Sequence, residues 1–89
     1  MAKHLRIAGV VQGVGFRYSM QREADRLGIT GWVRNRGDGT VEAVIDGSAK
    51  ALEDMLAWVT HGPPSAKVSN VLITEVLESF DDFQLRKNA

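Results

Sequence analysis

Apolar positions alternate along residues 5–11, with Leu5, Ile7, Gly9 and Val11 on one side, which predicts a strand with one buried face. Gly13 and Gly15 break the alternation. From Phe16 the period changes. Phe16, Met20, Ala24 and Leu27 recur at helical spacing and predict a helix with a single apolar stripe, stopped by Gly28. A second strand is predicted over residues 30–36 and a third over 40–45, with Val41, Ala43 and Ile45 on one face. Arg36-Gly37-Asp38-Gly39 joins them as a turn, so the pair reads as a hairpin. Ser48 is placed to cap a second helix whose stripe is Leu52, Met55, Leu56 and Val59. His61-Gly62-Pro63-Pro64 ends that helix. The β-branched and apolar stretch 68–77 predicts a fourth strand, and a short last strand falls near 83–86.

The order strand, helix, strand, strand, helix, strand is the α+β, ferredoxin-like split βαβ pattern, here with a short C-terminal strand. It implies an antiparallel sheet with two helices on one face. In this topology, with right-handed crossovers, the first and third strands are central neighbours and the second lies beside the third. The end of strand one and residues of strand two then come close enough to share a site. Residues 1–89 are expected to form one domain, and a chain of this length buries roughly 60–65% of its unfolded surface.

Charge and composition narrow the function classes. Eleven Lys and Arg balance eleven Asp and Glu, giving net zero. That argues against a nucleic-acid partner, which usually calls for a basic excess. The chain has no cysteine, so neither a disulfide framework nor a thiolate metal site is available. The apolar run after Lys3, His4 and Arg6 is too short for a signal peptide, and no stretch reaches membrane-spanning length. The expectation is a cytoplasmic protein without a membrane partner.

The handover from strand to helix carries the candidate chemistry. Gly13-Val14-Gly15-Phe16-Arg17 puts two glycines and an arginine where backbone N–H groups are unpaired and partially positive. A cation at that position is repelled, by roughly 0.3–1 kcal/mol at a surface. An anion removes the conflict, because free N–H groups and a guanidinium both bind it. A nest of N–H groups over 12–17, closed by Arg17, is one reading; an ordinary Gly-rich turn with a solvated arginine is the other, and spacing leaves both open. The G-x-x-x-x-G-K-[ST] phosphate motif is not met, since no Lys-Ser or Lys-Thr follows the glycines, and G-x-G-x-x-G is only half met by Gly13 and Gly15, since position 18 is Tyr.

Asn35 is the second candidate: a turn former before Gly37, or a neutral amide placed to hold a water. His4 and His61 read as structural or solvated, Asp38 as turn chemistry, and Trp32 and Phe16 as packing groups. No Ser–His–Asp set and no carboxylate pair emerges. An RNA-binding sheet wants aromatics on its central strands, and the first and third strands carry none.

On two long motifs the sequence resembles the acylphosphatases. One stands as Gly9-Val10-Val11-Gln12-Gly13-Val14-Gly15-Phe16-Arg17. The other stands as Gly31-Trp32-Val33-Arg34-Asn35, followed by Gly39-Thr40-Val41 and Gly47, with a weaker piece at Gly62-Pro63-Pro64-Ser65-Ala66-Lys67-Val68. The resemblance covers essentially the whole chain. It implies hydrolysis of the carboxyl–phosphate bond of acyl phosphates without metal or other cofactor. The phosphoryl group would be held by Gln12, Gly13, Val14, Gly15, Phe16 and Arg17, with Arg17 as charged clamp and Asn35 positioning the attacking water. The chain ends at Ala89 with no following domain, which suits a free-standing monomeric enzyme acting on a small molecule. A ferredoxin-like binding or regulatory module without turnover is the competing reading.

Overall fold

The computed structural model describes residues 2–89. Its elements are β1 (Ala2–Val10), α1 (Phe16–Leu27), β2 (Thr30–Asn35), β3 (Val41–Asp46), α2 (Ala49–His61), β4 (Lys67–Val76) and β5 (Phe83–Leu85). They form a five-stranded sheet in the order β4-β1-β3-β2-β5, the expected ferredoxin-like arrangement. The four long strands pair antiparallel, while β5 joins β2 in parallel, so the complete sheet is mixed. Parallel pairing follows from connectivity: the tail leaves the far edge strand β4 and crosses to the opposite edge of the sheet.

Both helices pack on one face. Leu5 and Ile7 of β1, Val33 of β2, and Val41, Ala43 and Ile45 of β3 meet Phe16, Met20 and Ala24 of α1 and Leu52, Met55 and Val59 of α2 in one core. All but Val33 are residues that the two periodicities single out. The helix ends also follow local chemistry. Ser48 Oγ accepts from the Ala51 N–H at 3.1 Å, and Gly28 ends α1 in a left-handed conformation that side chains resist. β1 begins three residues before the alternation does, because β3 and β4 flank it and supply ladder partners from Ala2 onward. Its register with β4 slips between Ala8 and Gly9, where the strand starts to turn into the loop that leads to α1.

The opposite face of the sheet carries no helix. Strand alternation sends Trp32 and Arg34 of β2 and Glu42 and Val44 of β3 to that side. Glu42 is only 7% exposed and gathers the polar groups around it. His4 Nε2 lies 2.6 Å from its Oε2, Arg34 Nε donates to Oε1 at 2.7 Å, and Arg36 Nη1 donates at 3.3 Å. Burial pushes the Glu42 carboxyl up, but hydrogen bonds from His4 and Arg34, the Arg34 charge and the Arg36 bond outweigh it and hold its pKa down from 4.5 to about 2. A carboxylate with a depressed pKa contributes stability that is present above its unfolded value and lost as pH falls towards the folded one. Urea unfolding at stepped pH is therefore expected to lose on the order of 3 kcal/mol between about pH 5 and pH 2 from this group. Glu42→Gln is expected to flatten the dependence in that window; an unchanged slope would show that other carboxylates govern it.

Candidate active site

The loop between β1 and α1 is anchored at both ends. Val11 is 1% exposed and Phe16 is 2% exposed, and both belong to the main core. Half-buried Val14 packs against the same core between them. The Phe16 ring meets the Trp58 ring at a centroid distance of 5.4 Å, which fixes the first turn of α1 against α2. Between these anchors Gly13 has φ 74° and Gly15 has φ 78°, conformations that strain any residue with a Cβ. An added Cβ would meet nothing within 4 Å at either position. The two glycines thus serve the backbone conformation and not close packing.

That conformation decides where the N–H groups go. α1 starts at Gly15 without a side-chain cap and has no acidic residue in its first turn. Among the described residues, the N–H groups of residues 13–18 donate no hydrogen bond; the first helical bond is Ser19 N–H to Gly15 O at 3.0 Å. Alternating left-handed and ordinary residues turn successive N–H groups to one side, the geometry of an anion nest. The helix dipole adds its positive end at the same place.

Gly13, Gly15, Phe16, Arg17 and Asn35, together with Val11 and Tyr18, line a cavity of about 220 Å³. The structure therefore joins the two predicted halves of the site, the loop and Asn35, which lie on opposite sides of β3. Arg17 stands in the first turn of α1 with no acidic partner among the described residues, its guanidinium 5.9 Å from the Tyr18 ring centroid. Asn35 lies on the helix-side face of β2, in line with Gly31 and Val33, and pairs with Val41. Its carboxamide makes no hydrogen bond to another described residue, whereas its backbone C=O accepts from the Ala89 N–H at 2.9 Å. The neighbouring arginines face the other way: Arg34 and Arg36 are held by Glu42 across the sheet. Among the described residues the cavity thus keeps one cation without an ion-pair partner and one amide without a hydrogen-bond partner.

Two residues of the predicted set do not line the cavity. Val14 turns towards the core. Gln12 turns away to the β2–β3 connection, where its Nε2 donates to Arg36 O at 2.8 Å and to Thr40 O at 2.9 Å. Its amide N–H groups are therefore committed to protein carbonyls. Sequence reasoning missed Tyr18, which is 62% exposed at the cavity. The available signal was an aromatic residue off the apolar stripe and directly after Arg17. The bland readings of other candidates hold. His4 pairs with Glu42, Trp32 and Phe16 are buried, and Asp38 Oδ1 accepts from the Thr40 N–H and hydroxyl within its turn. Among the described residues no cluster of three His, Asp or Glu side chains stands ready for a metal ion, and no helix is long and apolar enough to cross a membrane.

The arrangement suits a tetrahedral anion held by N–H groups and a guanidinium, with a neutral amide at its flank. Comparison with known proteins points the same way. The family model for acylphosphatase matches residues 3–85. An acylphosphatase of Thiobacillus denitrificans is 51% identical over 85 residues, covering 96% of both chains. One of Thermococcus kodakarensis is 56% identical over 81 residues, covering 86% of this chain and 89% of its own. The solved structure of an acylphosphatase from Coxiella burnetii superposes with a TM-score of 0.91 at 41% identity, covering 96% of this chain and 90% of the other.

Proposed function

The chain belongs to the acylphosphatase family, and on that premise we propose that its 12–17 loop and Arg17 hold the phosphoryl group of an acyl phosphate while Asn35 presents the attacking water. The activity comes with the family: the protein is an enzyme that hydrolyses the carboxyl–phosphate bond of acyl phosphates to a carboxylate and inorganic phosphate. The observation that carries the assignment of roles is the single cavity shared by Gly13, Gly15, Arg17 and Asn35.

The chemistry asks little of a general acid. A carboxylate is a good leaving group because its conjugate acid ionises near pH 4, so the site works without a proton donor aimed at the acyl oxygen. Phosphoryl transfer depends mainly on positioning and on stabilising charge over the equatorial oxygens. N–H groups of residues 13–17 and the Arg17 guanidinium supply that stabilisation from fixed positions, with no solvent reorganisation. The water oxygen attacks phosphorus, the bond between phosphorus and the acyl oxygen breaks, and the carboxylate leaves with the electron pair. Among the described residues no carboxylate or histidine lines the cavity to take the water's proton. We assign that proton to a non-bridging phosphoryl oxygen of the substrate itself. The pH dependence of kcat/KM is then expected to follow substrate ionisation and not a protein group.

The proposed roles call on residues 12–17 and Asn35 alone, so we take a monomer as the working unit, and a cysteine-free sequence suits the cytoplasm. Benzoyl, acetyl and carbamoyl phosphate are the probes. Hydrolysis with release of inorganic phosphate is expected, and at the same rate with and without a chelator. Absence of turnover on all three would favour a binding module, and chelator sensitivity would point to a metal that the roles above do not include.

A further inference from the structure

We infer that Gln12 is a positioning residue for this reaction: its side-chain amide clamps the phosphate loop to the turn that follows Asn35 and thereby sets how the two halves of the site face each other. The inference rests on the roles assigned above to the loop and Asn35. The sheet cannot do this work. β1 and β2 are not neighbours, since β3 runs between them. The β1–β3 ladder ends at the pair Ile7 and Val41, and the β2–β3 ladder ends at Asn35 and Val41. Beyond that row the loop and the β2–β3 turn project past the sheet, each from its own strand, with no ladder to hold them together.

Gln12 spans the gap. Its Nε2 donates to Arg36 O at 2.8 Å and to Thr40 O at 2.9 Å. Both partners are carbonyl oxygens, which only accept, so the amide nitrogen and not the amide oxygen must face them. The two N–H bonds of one nitrogen are then fully used. Among the described residues no other hydrogen bond joins residues 11–15 to residues 34–41. The acceptor positions are also well chosen. Arg36 directly follows Asn35, and the turn is closed by Arg36 N–H to Thr40 O at 2.9 Å and Gly39 N–H to Arg36 O at 3.2 Å. On the other side, Gln12 lies between buried Val11 and the left-handed Gly13, where the nest begins. The clamp therefore connects the residue just ahead of the nest to the residue next to the water-holding amide. A side chain engaged in this way gives the phosphoryl group no donor. Its task is orientation: a misplacement of about 1 Å between a nucleophile and its target costs up to about a hundredfold in rate.

Gln12→Met keeps the length of the side chain and removes both donors. Gln12→Asn keeps the amide on a stem one methylene shorter and serves as the milder variant should the first fail to fold. With benzoyl phosphate, kcat is expected to fall about tenfold to a hundredfold, while the Ki of inorganic phosphate stays within about twofold of the parent. In an Asn35→Ala background the same Gln12 replacement is expected to change kcat by less than about twofold, because the group it positions is gone. Equal deterioration of kcat and phosphate Ki would overturn the inference and make Gln12 part of the cradle itself. So would a full, additive loss of kcat on top of a large Asn35→Ala effect. If Asn35→Ala alone keeps the parent kcat, the role given to Asn35 fails and the clamp falls with it.

Discussion

Arg17→Gln is expected to lose phosphate affinity and turnover together, with kcat/KM for benzoyl phosphate falling by at least two orders of magnitude, on the order of 3 kcal/mol. Arg17 occupies the first turn of α1, at the positive end of the helix dipole, with no acidic residue in that turn and no ion-pair partner among the described residues. The placement is unfavourable for the fold by roughly 0.3–1 kcal/mol at a surface. On the proposed roles it becomes favourable when an anion enters between the guanidinium and the N–H groups of residues 13–17, and charge developing on the transferring phosphoryl group would strengthen it further. Glutamine keeps much of the stem and a polar end but removes the charge and the fork. Stability and function should therefore move apart. Urea unfolding of Arg17→Gln is expected to match or slightly exceed the parent, while benzoyl phosphate hydrolysis and competitive inhibition by inorganic phosphate both collapse. Turnover near the parent rate would sink the cradle assignment.

Asn35→Ala is expected to separate what Arg17→Gln takes down together. The Asn35 carboxamide reaches the cavity from β2, and its side chain has no hydrogen-bond partner among the described residues. Its backbone is held by the ladder to Val41 and by the Ala89 N–H, so truncating the side chain leaves the strand in place. Inorganic phosphate fills the cradle without needing an attacking water, so its inhibition constant should remain close to the parent value. Hydrolysis needs the water held in line, and losing that orientation is expected to lower kcat by a hundredfold or more. Paired measurement of kcat and of phosphate inhibition reads the split. Equal loss of both would make Asn35 a substrate ligand or a structural residue.

Most of the fold was legible because burial imposes simple periods. Leu5 and Ile7 alternate as a strand facing a core must, and Phe16, Met20 and Ala24 recur as a helix stripe must. Element ends were legible where a cap explains them, as at Ser48 and Gly28. The ends of β1 shifted because ladder partners on both sides, and not local propensity, decide how far a central strand runs. The parallel docking of β5 against β2 had no signal either, since a three-residue strand takes its direction from the path of the chain before it.

The site divides along the same line. Read from the sequence alone, two glycines and an arginine stand where a strand hands over to a helix, Asn35 lies near the end of the second strand, and the whole pattern resembles one family. Those are local facts, set by residue type, spacing and backbone freedom. The sequence left open whether the glycines make a nest or an ordinary turn, because φ follows from how Val11, Val14 and Phe16 seat in a core built by distant elements. It took the packed fold to turn Arg34 and Arg36 to Glu42 and to leave Arg17 at the cavity without an ion-pair partner among the described residues. Nor could spacing show that the Gln12 amide turns to the β2–β3 connection, since its two acceptors lie 24 and 28 residues away along the chain. A side chain's partners are chosen among groups that folding brings near, and no spacing along the chain encodes which of them a two-donor amide will reach.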